Sequence, residues 1–115
     1  MWWRVASVLG ALGVALGAFG AHGLEDQVAP DQLEHWETGA RYHLIHAAAL
    51  LGVAAHPAKP RLAGILFTVG IVIFAGTLYT MTLTGMRWLG AITPIGGLCL
   101  IGGWISLALA KAPKS

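Results

Sequence analysis

The sequence predicts an all-α integral membrane protein, a four-helix bundle in which neighbouring helices run antiparallel. Hydrophobic residues make up 57% of the 115 residues and charged residues only 10%, whereas soluble domains carry roughly 25% charged residues. The mean hydropathy is +0.71. Four apolar segments follow one another along the chain, and several of the 16 glycines recur at helical spacing. Together these observations indicate tightly packed membrane helices.

Each apolar segment approaches the roughly 20 residues that a helix needs to cross a bilayer. We expect spans at residues 5–24, 36–56, 62–84 and 88–110, which form a single membrane domain over residues 1–115. The first span is long for the core of a cleaved signal peptide, so we expect it to be retained. The second is the least apolar, and its helix must begin inside "DQLEHWETGARYHLIH", with Asp31 as the N-cap.

The loop "HPAKPR" between the second and third spans is short, which places successive helices side by side. Pro57 and Pro60 stop helix propagation there. No charged residue interrupts the third or the fourth span. Pro94 lies inside the fourth span, and a proline inside a helix predicts a kink.

Lysine and arginine residues near the ends of the spans predict the orientation. If the four helices alternate in direction, Arg41 and Arg87 fall on one side of the membrane. The other side then receives Arg4, Lys59, Arg61, Lys111 and Lys114. We therefore expect both termini inside the cell and the acidic segment 25–37 outside, in a bacterial inner membrane. In that segment, Glu37 and Arg41 have the spacing of a helical ion pair.

Glycines on one face of a membrane helix allow a second backbone to approach closely. Spacings of three, four and three residues place Gly10, Gly13, Gly17 and Gly20 on one face of the first span. This face can serve the bundle itself or a homo-oligomer. The full set of predicted packing positions is Gly10, Gly13, Gly17, Gly20, Gly39, Gly76, Pro94 and Gly97.

The polar residues within the spans are few, and such residues are often functional because their burial in a membrane is costly. His22, Tyr42, His46 and Tyr79 all fall in the outer half of the bilayer if the helices alternate. We expect them to form one hydrogen-bonded cluster that joins the helices.

A histidine metal or haem site is an alternative, with His22, His43 and His46 as ligands, because imidazole suits zinc, copper and iron. However, His43 and His46 lie three residues apart with no adjacent acid, unlike the ligand pairs of helical bundles. The single Cys99 lies in an apolar run, and no nucleophile lies at the depth of the histidines. We therefore expect no enzyme, no cofactor and no metal. The scattered basic residues likewise give no reason to expect nucleic-acid binding.

Four stretches resemble a known family: "LGAFGAHGL", "WETGARYHLIHAAAL", "FAGTLYTMTLTG" and "TPIGGLCLIGGW". Their order and spacing are similar to those of a domain-of-unknown-function family of small inner-membrane proteins. Its bacterial members include YgdD and YwdK, and its eukaryotic relatives are called transmembrane protein 256. The resemblance covers roughly residues 11–104 and implies four membrane helices. It implies no activity.

The resulting hypothesis is a small membrane protein that acts by interaction, as an assembly or stabilising component of the inner membrane. Its expected partners are the lipid bilayer and either further copies of itself or a larger membrane complex. One alternative is a conduit for ions or small solutes that forms by oligomerisation. No acidic or basic residue lies near the middle of a span, which disfavours this alternative.

Overall fold

A computed structural model describes residues 1–111 and contains four α-helices with no strand among those residues. The helices are α1 (Trp2–His22), α2 (Pro30–Ala55), α3 (Arg61–Thr84) and α4 (Thr93–Leu109), and a short 3₁₀ helix (Arg87–Ala91) precedes α4. The predicted fold class, an all-α membrane bundle with antiparallel neighbours, is confirmed. Lys114, one of the basic residues used to predict the orientation, lies outside the described residues.

Each helix packs mainly against its neighbours in the sequence: α1 against α2, α2 against α3, and α3 against α4. Helices α2 and α3 therefore form the centre of the bundle, and α1 and α4 flank them. The Cα extents of 55 × 26 × 16 Å describe this flattened arrangement. At one end of the bundle, the side chains of Leu50, Val53 and Phe67 are fully buried.

Three helical segments are long and apolar enough to cross a membrane: Trp2–His22, Arg61–Thr84 and Arg87–Leu109. Helix α2 has 26 residues, a length of about 39 Å. Its hydropathy is lower than that of the other three segments, because it contains three acidic residues in its first half and then Arg41, His43 and His46. Its central place between α1 and α3 supports the prediction that it also crosses the membrane. The orientation of the termini stays a prediction.

The starts of α2 and α4 differ from expectation. Helix α2 begins at Pro30, with Ala29 as N-cap and no side-chain cap, so Asp31 lies in the first turn and does not cap the helix. A proline fits this position because the first helical N–H groups have no partner within the helix. Pro94 likewise lies in the first turn of α4. The predicted kink is therefore wrong, because Pro94 opens a helix that follows the 3₁₀ segment.

The predicted glycine positions differ in what surrounds them. A Cβ atom at Gly13 or Gly20 would collide with side chains of α2, and one at Gly39 would press on α3 at 3.2 Å. Gly17 faces Ala40 and Gly97 faces Phe74, both at ordinary contact distance. Gly10 and Gly76 have no neighbouring atom within 4 Å of the added Cβ. The four glycines on one face of α1 therefore do not share one contact. Gly13, Gly17 and Gly20 approach α2, whereas no atom lies near the position of a Cβ at Gly10.

Candidate functional site

His43 connects three helices. It is buried, with 4% of its surface exposed. Its Nε2 lies 2.8 Å from the carbonyl oxygen of Leu9 in α1, and its Nδ1 lies 2.9 Å from the hydroxyl of Tyr79 in α3. Because a carbonyl oxygen only accepts, Nε2 carries the proton, and the Tyr79 hydroxyl donates to Nδ1. Both ring nitrogens are thus satisfied in the neutral form.

His46 is buried one turn further along α2, with 5% of its surface exposed, and it joins α2 to α4. Its Nδ1 donates to the carbonyl oxygen of Tyr42 at 2.7 Å. Its Nε2 accepts from the indole Nε1 of Trp104 at 3.0 Å. His46 is therefore the opposite tautomer to His43. An indole N–H only donates, so a second proton on His46 would remove this bond.

Trp36 makes a third link, from α2 to α1. Its side chain is 2% exposed, and its indole N–H donates to the carbonyl oxygen of Leu16 at 2.7 Å. The ring packs on Phe19 and Tyr79, with centroid distances of 5.6 and 4.5 Å. A buried tryptophan needs a partner for its N–H group, and here the partner is a helix backbone.

Glycines explain how these backbone carbonyls can accept a second bond. In an α-helix the side chain of residue i+4 leans over the carbonyl of residue i. Gly13 stands four residues after Leu9, and Gly20 stands four residues after Leu16. A Cβ at Gly13 would lie 3.3 Å from Cδ2 of His43, and one at Gly20 would lie 2.7 Å from the Trp36 Nε1. Each glycine thus leaves open the carbonyl that the side chain of α2 reaches.

The structure does not bring His22, Tyr42, His46 and Tyr79 into one cluster. His22 is exposed at the end of α1. Tyr42 contributes its backbone carbonyl, and its ring lies parallel to that of His46 at 6.1 Å. Tyr79 bonds to His43 instead. Two separate networks therefore join the helices, and His43 belongs to one of them.

Sequence reasoning missed Trp36 and Trp104 as well as the structural role of His43. A signal for Trp36 was available, because a tryptophan in a membrane helix must satisfy its N–H group. The seven-residue spacing of Gly13 and Gly20 matches that of Trp36 and His43. Helices that run antiparallel at this spacing place each aromatic ring opposite one glycine.

The geometry gives no support to a site that contains His22, His43 and His46. Within residues 1–111, no three His, Cys, Asp or Glu side chains are grouped so that they could hold a metal ion. His43 uses both ring nitrogens in bonds to other helices, and His46 uses one in a bond to α4 and the other in a bond within α2. A metal on either ring would have to replace one of these bonds.

A cleft of about 570 Å³ lies between α2, α3 and α4, beside His46. Its aromatic lining consists of Tyr42, Phe74 and Trp104, and Arg41 lies at its edge on α2. Tyr42 and Trp104 are 41% and 45% exposed, so the cleft opens toward the surface of the bundle. The predicted pair of Glu37 with Arg41 is absent: within residues 1–111, no carboxylate oxygen lies within 4.0 Å of the Arg41 side chain.

Comparisons with known proteins agree with the sequence resemblance. A family model described as "Protein of unknown function (DUF423)" matches residues 16–97. The UPF0382 membrane protein YwdK of Bacillus subtilis is 44% identical over 117 residues, which cover 93% of this chain and 95% of the relative. A UPF0382 membrane protein of Staphylococcus epidermidis is 43% identical, with 93% and 94% covered.

A relative from Schizosaccharomyces pombe, UPF0382 membrane protein C1782.12c, is 40% identical over 91% of this chain and 96% of its own length. No solved structure matches the chain. The relatives' names describe membrane proteins, and the helices here are long and apolar enough to cross a membrane more than once. The chain is thus similar along nearly its whole length to multi-pass membrane proteins of unknown function.

Proposed function

We propose that this chain, which belongs to the DUF423 family of proteins of unknown function, is a non-enzymatic assembly or stabilising component of its membrane. Its partners in this role are further copies of itself or the subunits of a larger membrane complex. In this role the polar side chains inside the bundle stabilise the fold, and the outer surface contacts the partners.

The proposal rests on one observation: in both buried histidines, His43 and His46, each ring nitrogen makes a hydrogen bond within the protein. These are the residues best suited to proton transfer or metal binding in the spans. Each histidine donates to a backbone carbonyl and accepts from a side chain on another helix. Such bonds contribute about 0.6 kcal/mol each in membrane proteins, and they fix how the helices are rotated against one another. The polar groups of the two buried histidines therefore serve to stabilise the bundle.

The outer surface offers room for contacts with other membrane helices. Gly10 on α1 and Gly76 on α3 are helical positions with open space where a side chain would stand. Small residues on a helix surface permit close approach by another helix. Large apolar side chains surround these positions, for example Val14 and Val72, which are 63% and 61% exposed.

The proposal is tested by photo-crosslinking in intact membranes. A photoreactive residue at the exposed positions Leu98 and Ile105 of α4, and then at Val14 and Val72, samples the outer surface. Leu100 is 4% exposed and serves as the buried control. If the protein is an assembly component, photoreactive residues at adjacent positions on one face give an adduct of one discrete mass. The photoreactive residue at the buried control position gives no adduct.

Two surface variants connect the adduct to the glycine positions. Gly10→Leu and Gly76→Leu add a side chain where no other atom lies within 4 Å. They should therefore not lower the unfolding midpoint in detergent, and the better helix propensity of leucine can raise it slightly. On the face that makes the contact, the substitution should also abolish the adduct. Equal, diffuse labelling on all faces would contradict the assembly role. Ion or solute flux through proteoliposomes well above that of protein-free vesicles would favour the conduit instead.

A further inference from the structure

The aromatic walls of the cleft between α2, α3 and α4 are held in place by contacts within the bundle. The ring of Trp104 is held by its bond to His46 at 3.0 Å and packs edge-on against Phe67, with centroids 5.1 Å apart. On the opposite wall, the Tyr42 ring lies parallel to the His46 ring and contacts Phe74, with centroids 4.8 Å apart. The shape of the cleft therefore exists before any ligand enters, which lowers the entropy lost on binding.

Arg41 places a positive charge at the edge of this apolar cleft. It lies eleven residues after the start of α2, about 16 Å along the helix. Its neighbour Ala40 faces Gly17, which lies inside α1 and five residues before the end of that helix. The backbone of Arg41 thus lies about one and a half turns inside the end of α1. Its side chain is exposed, so its charged end can extend to the depth of the lipid headgroups.

No partner for Arg41 is found within the chain. Among residues 1–111, it makes no salt bridge, and Glu37 one turn earlier is more than 4.0 Å away. The hydroxyl of Tyr42, beside it in the cleft, makes no hydrogen bond within the same residues. One cation and one hydroxyl without a partner among these residues therefore lie beside the same apolar cleft.

We propose that this cleft binds an anionic phospholipid, with the lipid phosphate on Arg41 and one acyl chain between Tyr42, Phe74 and Trp104. An arginine forms bidentate, charge-assisted hydrogen bonds with phosphate oxygens. A cation close to the membrane surface also attracts anionic headgroups through its charge. A zwitterionic headgroup carries its own cation, which opposes Arg41, so the site prefers lipids with net negative charge. The inference stands independently of the assembly role.

The experiment is native mass spectrometry of the purified full chain in a mild detergent, titrated with one lipid at a time. Phosphatidylglycerol and phosphatidylcholine with identical acyl chains differ only in the headgroup. We expect one tightly bound phosphatidylglycerol per chain and at least about fivefold weaker binding of phosphatidylcholine, because one arginine contributes about 1 kcal/mol to such contacts. Equal binding of the two lipids would overturn the proposal.

Two pairs of variants separate the two parts of the site. Arg41→Gln should remove the preference for phosphatidylglycerol, whereas Arg87→Gln, an exposed arginine outside the cleft, should retain it. Gly97→Leu should block the acyl chain, because its Cβ would stand 3.8 Å from Phe74 without a clash. Gly102→Leu, on the same helix but outside the cleft, is its control.

The unfolding midpoint of each variant without added lipid checks that the bundle has folded. If Arg87→Gln lowers the lipid preference as much as Arg41→Gln does, the attraction is general and the assigned site is wrong. Undiminished binding by a folded Gly97→Leu variant would equally rule out the cleft. Loss of binding in both cleft variants, with both controls intact, would establish the site.

Discussion

Replacement of Gly20 by alanine tests how α1 and α2 are joined. The added Cβ would occupy space that the indole ring of Trp36 now fills. Trp36 can make room only by disturbing its own packing, because it is 2% exposed and packs against Phe19 and Tyr79. We therefore expect the ring to shift, and its bond to the Leu16 carbonyl to lengthen or break.

The magnitude follows from three contributions. Overpacking of a buried site destabilises by about 1–3 kcal/mol, and the lost hydrogen bond adds about 0.6 kcal/mol in a membrane protein. Alanine favours the helix over glycine by about 1 kcal/mol, which offsets part of this loss. The expected net destabilisation by Gly20→Ala is about 1.5 kcal/mol. Gly10→Ala meets no atom within 4 Å and should be neutral or slightly stabilising.

The assay is equilibrium unfolding in mixed micelles with a rising fraction of sodium dodecyl sulfate, followed by tryptophan fluorescence. Trp36→Phe supplies the internal test, because a phenylalanine lacks the pyrrole part of the indole ring that meets the new Cβ. In that background Gly20→Ala should lose most of its effect, with a coupling free energy of at least about 1 kcal/mol. If Gly20→Ala is tolerated as well as Gly10→Ala, the close approach of α1 and α2 at this level is refuted.

Two further predictions concern α4. Gly96→Ala should destabilise by up to about 3 kcal/mol, because its Cβ would collide with the backbone of α3. The control is Gly97→Ala, which should change the unfolding free energy little, because the atom nearest to its Cβ lies 3.8 Å away. Equal effects of the two substitutions would contradict the contact of Gly96 with α3. Trp104→Phe removes the donor to His46 and should destabilise by about 0.6–1.7 kcal/mol. Trp88→Phe is its matched control, because Trp88 is 62% exposed and its indole makes no hydrogen bond among residues 1–111. Identical unfolding curves for these two variants would show that the bond to His46 contributes nothing.

The fold was predictable because its signals are local. A span requires a run of apolar residues of a certain length, and the boundaries of α1 and α3 follow these runs within about three residues. Local patterns were less reliable at proline. Pro94 was assigned to the interior of a span, but the 3₁₀ segment before it makes it a first-turn residue, where its missing N–H is harmless.

The site was less predictable because hydrogen-bond partners depend on two quantities that are absent from the periodicity of one helix. These are the rotation of each helix about its axis and its axial offset from its neighbours. A step of one residue rotates a side chain by about 100°. His43 and His46 therefore point to different neighbours, one to α1 and α3 and the other to α4.

The sequence by itself determined that this chain forms apolar helices that cross a membrane in antiparallel succession. Hydropathy and helix length are properties of single segments, so no knowledge of their neighbours was needed. Only the tertiary structure decided which glycines of α1 lie against α2: Gly13 and Gly20 leave backbone carbonyls accessible to side chains of α2, and Gly10 does not. It also decided that Arg41 lies at an aromatic cleft. Each of these facts depends on which faces of two or more helices meet. That choice is set by packing across the whole bundle, because close contact requires both surfaces to be complementary at once.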